Sequence, residues 1–303
     1  MLSTLHLKIA YIILFSVHNH RILVTGANGQ LGMELRDLAL SHPEYTFSFL
    51  SREELAIENA EEVKRYFSTH RPTAIINCAA YTAVDKAETE KEQAFRINSE
   101  AVGILAAVSR ELGARFIHVS TDYVYAGNAS IPYTESSTTS PVNAYGESKL
   151  SGEQEALEKN HSSVIVRTSW VYSSYGKNFV KTMLRLMKDK TEISVVNDQM
   201  GSPTYAADLA SALLAIAVSE DFVPGIFHYS NDGAISWFDF ASEIALQSGA
   251  SCKVKPIPTS DFPTPAKRPQ YSVLDKSLIV KTYDLELKPW KTSLSDCIRR
   301  IGE

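Results

Sequence analysis

Three residues of this sequence carry types and spacings that suit chemistry. Tyr145 and Lys149 stand four apart, which puts two side chains on one face of a helix. A phenol ordinarily titrates near ~10 and is a poor acid at neutral pH. A lysine ammonium held beside it favours the phenolate and lowers that value. Thr121, within Ser120-Thr121-Asp122-Tyr123, brings a hydroxyl that can hold a carbonyl oxygen beside the phenol. Together the three can move a proton on and off a carbonyl or alcohol oxygen. Such a device is useful only beside a hydride carrier. Tyr-x-x-x-Lys pairs also occur as surface decoration, so the surrounding elements must decide.

Those elements read as alternating strands and helices. Residues 21–25 form a β-rich run that ends in Gly26-Ala27-Asn28-Gly29-Gln30-Leu31-Gly32. A helical pattern follows through Met33, Leu35 and Leu38. In that context the glycines have separate jobs: Gly26 permits a tight turn, and Gly29 lets a pyrophosphate approach the helix N-terminus. Gly32 lets helix and strand pack closely. The spacing is Gly-x-x-Gly-x-x-Gly rather than Gly-x-Gly-x-x-Gly. Residues 45–50 read as the second strand, with Arg52, Glu53 and Glu54 beyond it, where a cofactor ribose is expected. Arg52 suits a 2′-phosphate; Glu53 or Glu54 suits a free 2′-hydroxyl; simple solvation is the third reading.

Residues 59–69 read as a helix. Residues 73–80 are nearly all apolar or small, as in a parallel strand buried on both faces. The small Ala79 and Ala80 would let the backbone run under a cofactor. Residues 94–112 read as one long helix. Residues 115–120 form a fourth strand that ends on Thr121, and His118 within it reads as a satisfied core histidine. Tyr145 opens a helix to about residue 159, where Gly146 and Gly152 imply a close neighbour. Residues 163–167 form a fifth strand. This alternation predicts an α/β fold with a Rossmann-like, doubly wound parallel sheet over residues 21–172. The alternation weakens afterwards, so residues 173–303 read mainly as a smaller, discontinuous substrate-binding region. A segment near 203–230 is expected to return to the sheet.

Composition excludes several classes. The chain has 303 residues, 44% hydrophobic and 21% charged, with a net charge of −5. That balance is globular and argues against a broad nucleic-acid surface. Cys78, Cys252 and Cys297 are far apart and odd in number, with no disulfide framework or zinc spacing. This suits a reducing, cytoplasmic location. Cys78 reads as a buried core thiol. Residues 9–17 are apolar but span about half the ~20 residues a membrane crossing needs. Residues 1–20 read as an extension outside the fold, and no membrane partner is expected.

The glycine turn, residues 77–88, residues 120–125 and residues 145–149 together resemble the extended short-chain dehydrogenase/reductases. Residues 167–172, 178–184, 197–204 and 263–269 narrow the resemblance to the dTDP-4-dehydrorhamnose reductase family. It covers nearly everything after His20. The resemblance implies reduction of a nucleotide sugar's 4-keto group, dTDP-4-dehydro-L-rhamnose to dTDP-L-rhamnose, with NADP(H) or NAD(H). It makes Tyr145 the general acid and Lys149 its partner, which also reaches the nicotinamide ribose. It makes Thr121 the residue that bonds the substrate oxygen. Gly26, Gly29, Gln30 and Leu31 match the pyrophosphate loop, and Ala79, Ala80 and Thr82 match positions near the cofactor ribose. Val84, Tyr123 and Trp170 match the sugar pocket, and Asn178 and Arg268 match contacts to the nucleotide diphosphate. Some bacterial members form homodimers through a bound magnesium ion. No compact ligand cluster assigns Mg2+ here. Ala56 departs from the pattern, where an acidic residue is expected.

Two rivals stand beside this expectation. One is another nucleotide-sugar epimerase or dehydratase on the same scaffold, although Asp122-Tyr123 is not the acidic pair of dehydratases. The other is a regulatory binding subunit like the methionine adenosyltransferase β subunit. The intact Thr121, Tyr145 and Lys149 set argues against it.

Overall fold

The computed structural model describes residues 20–302. The segment read as an extension, His20 apart, lies outside the described residues. Strands β1 (Arg21–Thr25), β2 (Thr46–Leu50), β3 (Ala74–Asn77), β4 (Arg115–Thr121) and β5 (Val164–Thr168) alternate with helices. These are α1 (Gln30–Ala39), α2 (Ala60–His70), α3 (Val84–Ala87), α4 (Lys91–Phe95), α5 (Ala101–Glu111) and α6 (Ala144–Lys159). Beyond them lie β6 (Val171–Tyr172), α7 (Phe179–Asp189), β7 (Glu192–Val196), β8 (Met200–Gly201), β9 (Thr204–Tyr205), α8 (Ala206–Val218) and β10 (Gly225–His228). The chain continues through β11 (Ile235–Ser236), α9 (Trp237–Ser248), β12 (Lys253–Ile257), α10 (Ser277–Tyr283) and α11 (Trp290–Gly302).

Six strands form one parallel sheet in the order β10-β5-β4-β3-β1-β2. Its strands are apolar on both faces because both faces are covered. Ile22, Val24, Ile76, Ile117 and Val166 face a core completed by α1 and α8. Their neighbours Leu23, Ile75, Phe116 and Ile165 face the opposite core, under α2, α5 and α6. The chain reverses direction across the sheet between β1 and β3, since β2 lies outside β1. Ligands bind at such a switch point, beyond the carboxyl ends of the strands.

A third core unites α7, α9 and α11 with the β7–β12 pair. In α7, Met183 and Met187 lie one turn apart and are both buried, the stripe expected of an amphipathic helix. Two clusters tie this region to α1. Arg300 of α11 binds Glu34 at 2.6 Å and also Asp37. Ser173 donates to the same Glu34, and Tyr175 donates to Asp37 at 2.6 Å. Among the described residues, no helix is long and apolar enough to cross a membrane.

The stretch read as one helix, residues 94–112, is divided. Residues Arg96–Glu100 form a π turn between α4 and α5. The widened turn presents Asn98 inward, where its amide accepts from the Tyr81 N–H at 2.8 Å. The same amide donates to the Tyr81 carbonyl at 3.0 Å and to Ser148 at 2.9 Å. Gly152 faces this turn, and a Cβ there would lie 1.9 Å from the Asn98 carbonyl oxygen. At Gly146 a Cβ would lie 2.3 Å from the Tyr123 carbonyl oxygen. The two glycines therefore let α6 press against its neighbours, as the sequence implied.

Candidate active site

The carboxyl ends of β1 to β5 open into a cavity of about 910 Å³. After β1, Gly26 turns the chain with φ +69°, and a Cβ there would lie 2.6 Å from Ala79 N. No side chain caps the start of α1, and its first turn holds no acidic residue. That leaves an uncapped, electropositive helix end at the cavity, suited to an anion. Gly29, Gln30, Leu31 and Gly32 line the cavity from this turn, with Arg52 beyond β2. Ala79, Ala80, Thr82 and Val84 line it beyond β3. Thr121 and Tyr123 line it beyond β4, Tyr145 and Lys149 from α6, and Trp170 beyond β5. The structure thus brings together residues from beyond five separate strand ends and from α6, as a switch point requires.

Asn178 and Arg268 are placed differently. Neither belongs to the residues lining the cavity. Asn178 caps α7 and donates to Gln30 at 2.8 Å, so it braces the glycine turn from outside. Arg268 pairs with Asp85 at 2.8 Å, which fixes the proline-rich segment against α3. Cys78 also differs from expectation: it is partly exposed and lines the cavity. Burial still pushes its thiol up, which keeps it protonated.

The proton-handling group is built by caps and burial. Asn143 caps α6 by accepting from Gly146 N at 2.8 Å, which sets Tyr145 in the first turn. The Tyr145 ring meets Tyr123 edge-on, centroids 5.6 Å apart. The Thr121 hydroxyl accepts from Tyr123 N at 3.2 Å and donates to Asp122 at 3.0 Å. Burial holds the Asp122 carboxyl up at about 6, against hydrogen bonds from Ser272 and Thr121. Burial pushes the Tyr145 phenol up to about 12, with the Thr121 hydrogen bond opposing and Asp122 adding to the rise. This reverses the lowering expected from Lys149. The Lys149 amine does not point at the phenol: it donates to the Val119 carbonyl at 2.7 Å and lies 3.2 Å from His118 Nε2. Burial pulls its ammonium down to about 8, with Glu153 and Cys78 opposing. Glu153 is itself held by Arg167 at 2.9 and 2.5 Å, an ion pair that seats α6 on β5.

The opposite wall is aromatic. Trp170 has φ +48°, a left-handed backbone that a large residue adopts only when its surroundings enforce it. Trp237 enforces it by stacking on the indole, with centroids 3.5 Å apart. Gly201 backs the same ring, with room for no Cβ. Trp237 and Asn98 carry no local sequence signal, since each acts on a partner brought up by the fold.

A Rossmann sheet with a glycine turn, a Thr/Tyr/Lys group and an aromatic pocket wall defines the extended short-chain dehydrogenase/reductase class. The model for the RmlD substrate binding domain matches residues 20–302. The chain belongs to that family. It is 41% identical over 297 residues to a dTDP-4-dehydrorhamnose reductase of Burkholderia thailandensis, covering 93% of this chain and 99% of that protein. The crystal structure of a dTDP-4-dehydrorhamnose reductase from Clostridium acetobutylicum superposes with a TM-score of 0.89 at 41% identity, covering 93% of this chain and 100% of that one. A Bacillus anthracis dTDP-4-dehydrorhamnose reductase in complex with NADP gives a TM-score of 0.89 at 40% identity, covering 93% and 99%.

Proposed function

We propose that this chain reduces the 4-keto group of dTDP-4-dehydro-L-rhamnose to the alcohol of dTDP-L-rhamnose, using a reduced nicotinamide cofactor. The observation that carries the reading is the convergence of Thr121, Tyr145 and Lys149 on one wall of a cavity whose neighbouring wall is the glycine turn. The cradle fits a dinucleotide. Gly26 leaves the backbone open where a side chain would collide, and α1 offers its uncapped N-terminus to a pyrophosphate. When bound, the nicotinamide supplies the hydride that adds to sugar C4. Everything else falls to the chain.

Tyr145 holds its proton firmly in the unloaded site and delivers it to the oxygen on C4 as negative charge develops there. Thr121 positions that oxygen by a hydrogen bond. The buried Lys149, in its ammonium form, contributes positive charge near the tyrosinate left behind. Trp170, held by Trp237, forms the face against which the sugar ring lies. NADPH is the favoured cofactor. Arg52 stands at the cavity rim, with its side chain 62% exposed and only loosely paired with Glu58 at 3.4 Å. Glu54 is occupied by the Ser51 N–H at 2.8 Å, and Glu53 shares the rim with the arginine, whose charge suits a 2′-phosphate.

Among the described residues, no group of three or more His, Cys, Asp and Glu side chains could hold a metal ion. The Glu34 and Asp37 carboxylates are engaged by Arg300. The test is to mix purified protein with the 4-keto sugar nucleotide and either NADPH or NADH, following reduced-nicotinamide absorbance. Oxidation with at least about tenfold preference for NADPH is expected, since one charged contact is worth ~1.5–3 kcal/mol. No oxidation with either cofactor would sink the reading.

A further inference from the structure

A buried polar row crosses the sheet directly behind Lys149. Thr25, Asn77 and His118 are register partners on β1, β3 and β4. They share the sheet face that two residues earlier carries Leu23, Ile75 and Phe116. All three are buried, at 1% exposure or less, on a face otherwise built of apolar side chains. Buried polar groups cost free energy unless hydrogen-bonded, so the row needs a reason.

Its hydrogen bonds run one way. The Thr25 hydroxyl donates to Asn77 Oδ1 at 2.6 Å, and the Ala79 N–H reaches the same oxygen at 3.2 Å. Two donors on Oδ1 fix the amide, so Asn77 Nδ2 faces His118 Nδ1 at 2.9 Å and donates to it. A neutral imidazole that accepts at Nδ1 carries its proton on Nε2. That N–H faces Lys149 Nζ at 3.2 Å. An ammonium has no lone pair with which to accept it; a free amine has one.

We propose that Thr25, Asn77 and His118 form a one-way chain of donors ending on Lys149, and that His118 is a positioning residue that makes Lys149 a titrating base rather than a fixed cation. The groups facing the amine agree. On its own helix, Tyr145 stays protonated, and the charge of Glu153 is matched by Arg167 of β5. Beyond β3, Cys78 remains a thiol, and on β4 burial and the lysine keep His118 neutral. Among the described residues, the groups acting on the lysine from the anionic side are Glu153, already paired, and the protonated Cys78. The chain begins at a buried threonine, so it is a support and not a proton path to solvent. The inference rests on the reading of Lys149 as the charged partner of Tyr145.

Two experiments test it. Long-range proton–nitrogen spectra of the 15N-histidine-labelled, unloaded protein are expected to show His118 as the neutral tautomer protonated on Nε2 from about pH 6 to about pH 9. The His118→Gln variant assigns the signal by its loss. A proton on Nδ1, or an imidazolium in that range, overturns the proposal. The second experiment is the pH profile of kcat/KM for NADPH. His118→Phe removes the donor to the free amine, so the alkaline limb is expected to move up by about one pH unit, a tenfold change in proton affinity. His118→Gln keeps an N–H at the outer end of the side chain and is expected to retain the wild-type limb. A limb left in place by His118→Phe overturns the proposal. Should His118→Phe fail to fold, the tautomer decides alone. Should the wild-type protein oxidise no NADPH, the functional reading fails, and the tautomer still decides the chain.

Discussion

The two walls of the cavity are made of different material. The wall beneath the glycine turn is backbone and small side chains: Gly26, Gly29, Ala79 and Ala80. Its shape is set by the turn itself and by contacts too close for a Cβ. The facing wall is made of Trp170 and Tyr123, large side chains whose placement depends on Trp237, on Gly201 and on elements far along the chain. A dinucleotide presents the same phosphates and riboses to every enzyme of this fold, so a wall of backbone suffices. A particular sugar is recognised by shape and ring contact, which a wall of side chains supplies. Where the walls meet stands Tyr145.

Breaking the meeting point has the largest expected effect. Tyr145→Phe should lower kcat by about 10²–10⁴, the usual worth of a general acid, while NADPH binding by fluorescence titration stays within about threefold. Unchanged turnover would remove Tyr145 from the mechanism. Damage confined to the backbone wall comes next. Gly26→Ala places a Cβ 2.6 Å from Ala79 N at φ +69°. It should destabilise the fold by ~1–3 kcal/mol in a denaturant melt and raise KM for NADPH at least tenfold. KM for the sugar should move much less.

Trp237→Ala tests the aromatic wall. Losing a stacked pair worth ~0.5–1.5 kcal/mol should raise KM for the sugar by about three- to tenfold and leave KM for NADPH unchanged. Equal effects on both constants would erase the distinction between the walls. The smallest effect concerns Asp122, whose folded-state carboxyl is held at about 6 against an ordinary 3.8. The folded protein therefore binds this proton more tightly than the unfolded chain. Its contribution to stability is full below 3.8 and is lost as pH rises through about 6. In Asp122→Asn, Tm at about pH 7 minus Tm at about pH 4 should be more positive than in the wild type, because the variant loses the low-pH contribution of this carboxyl. A difference left unchanged would show that Asp122 titrates normally.

The same contrast explains what was legible in the sequence. The glycine turn, the apolar run before Asn77 and the strand ending on Thr121 announce themselves locally, because strand burial and turn geometry impose residue types at fixed spacing. Gly146 and Gly152 announced a close neighbour, though not that it would be Tyr123 and the π turn at Asn98. That turn has no spacing signature of its own, so residues 94–112 read as one helix. The partners of His118 lie on β3 and α6, and the partner of Trp170 lies 67 positions along the chain, so neither contact could be read from local pattern. Lys149 misled for a related reason. Helical spacing places it on the face of Tyr145, but the amine is free to turn to β4, and it does.

The most direct test of the central claim uses NADPH carrying deuterium at both positions of nicotinamide C4, mixed with dTDP-4-dehydro-L-rhamnose and the protein. dTDP-L-rhamnose with one deuterium at sugar C4 and stoichiometric oxidation of the cofactor are expected. A sugar nucleotide recovered without deuterium at C4, whether unchanged or epimerised, would contradict it.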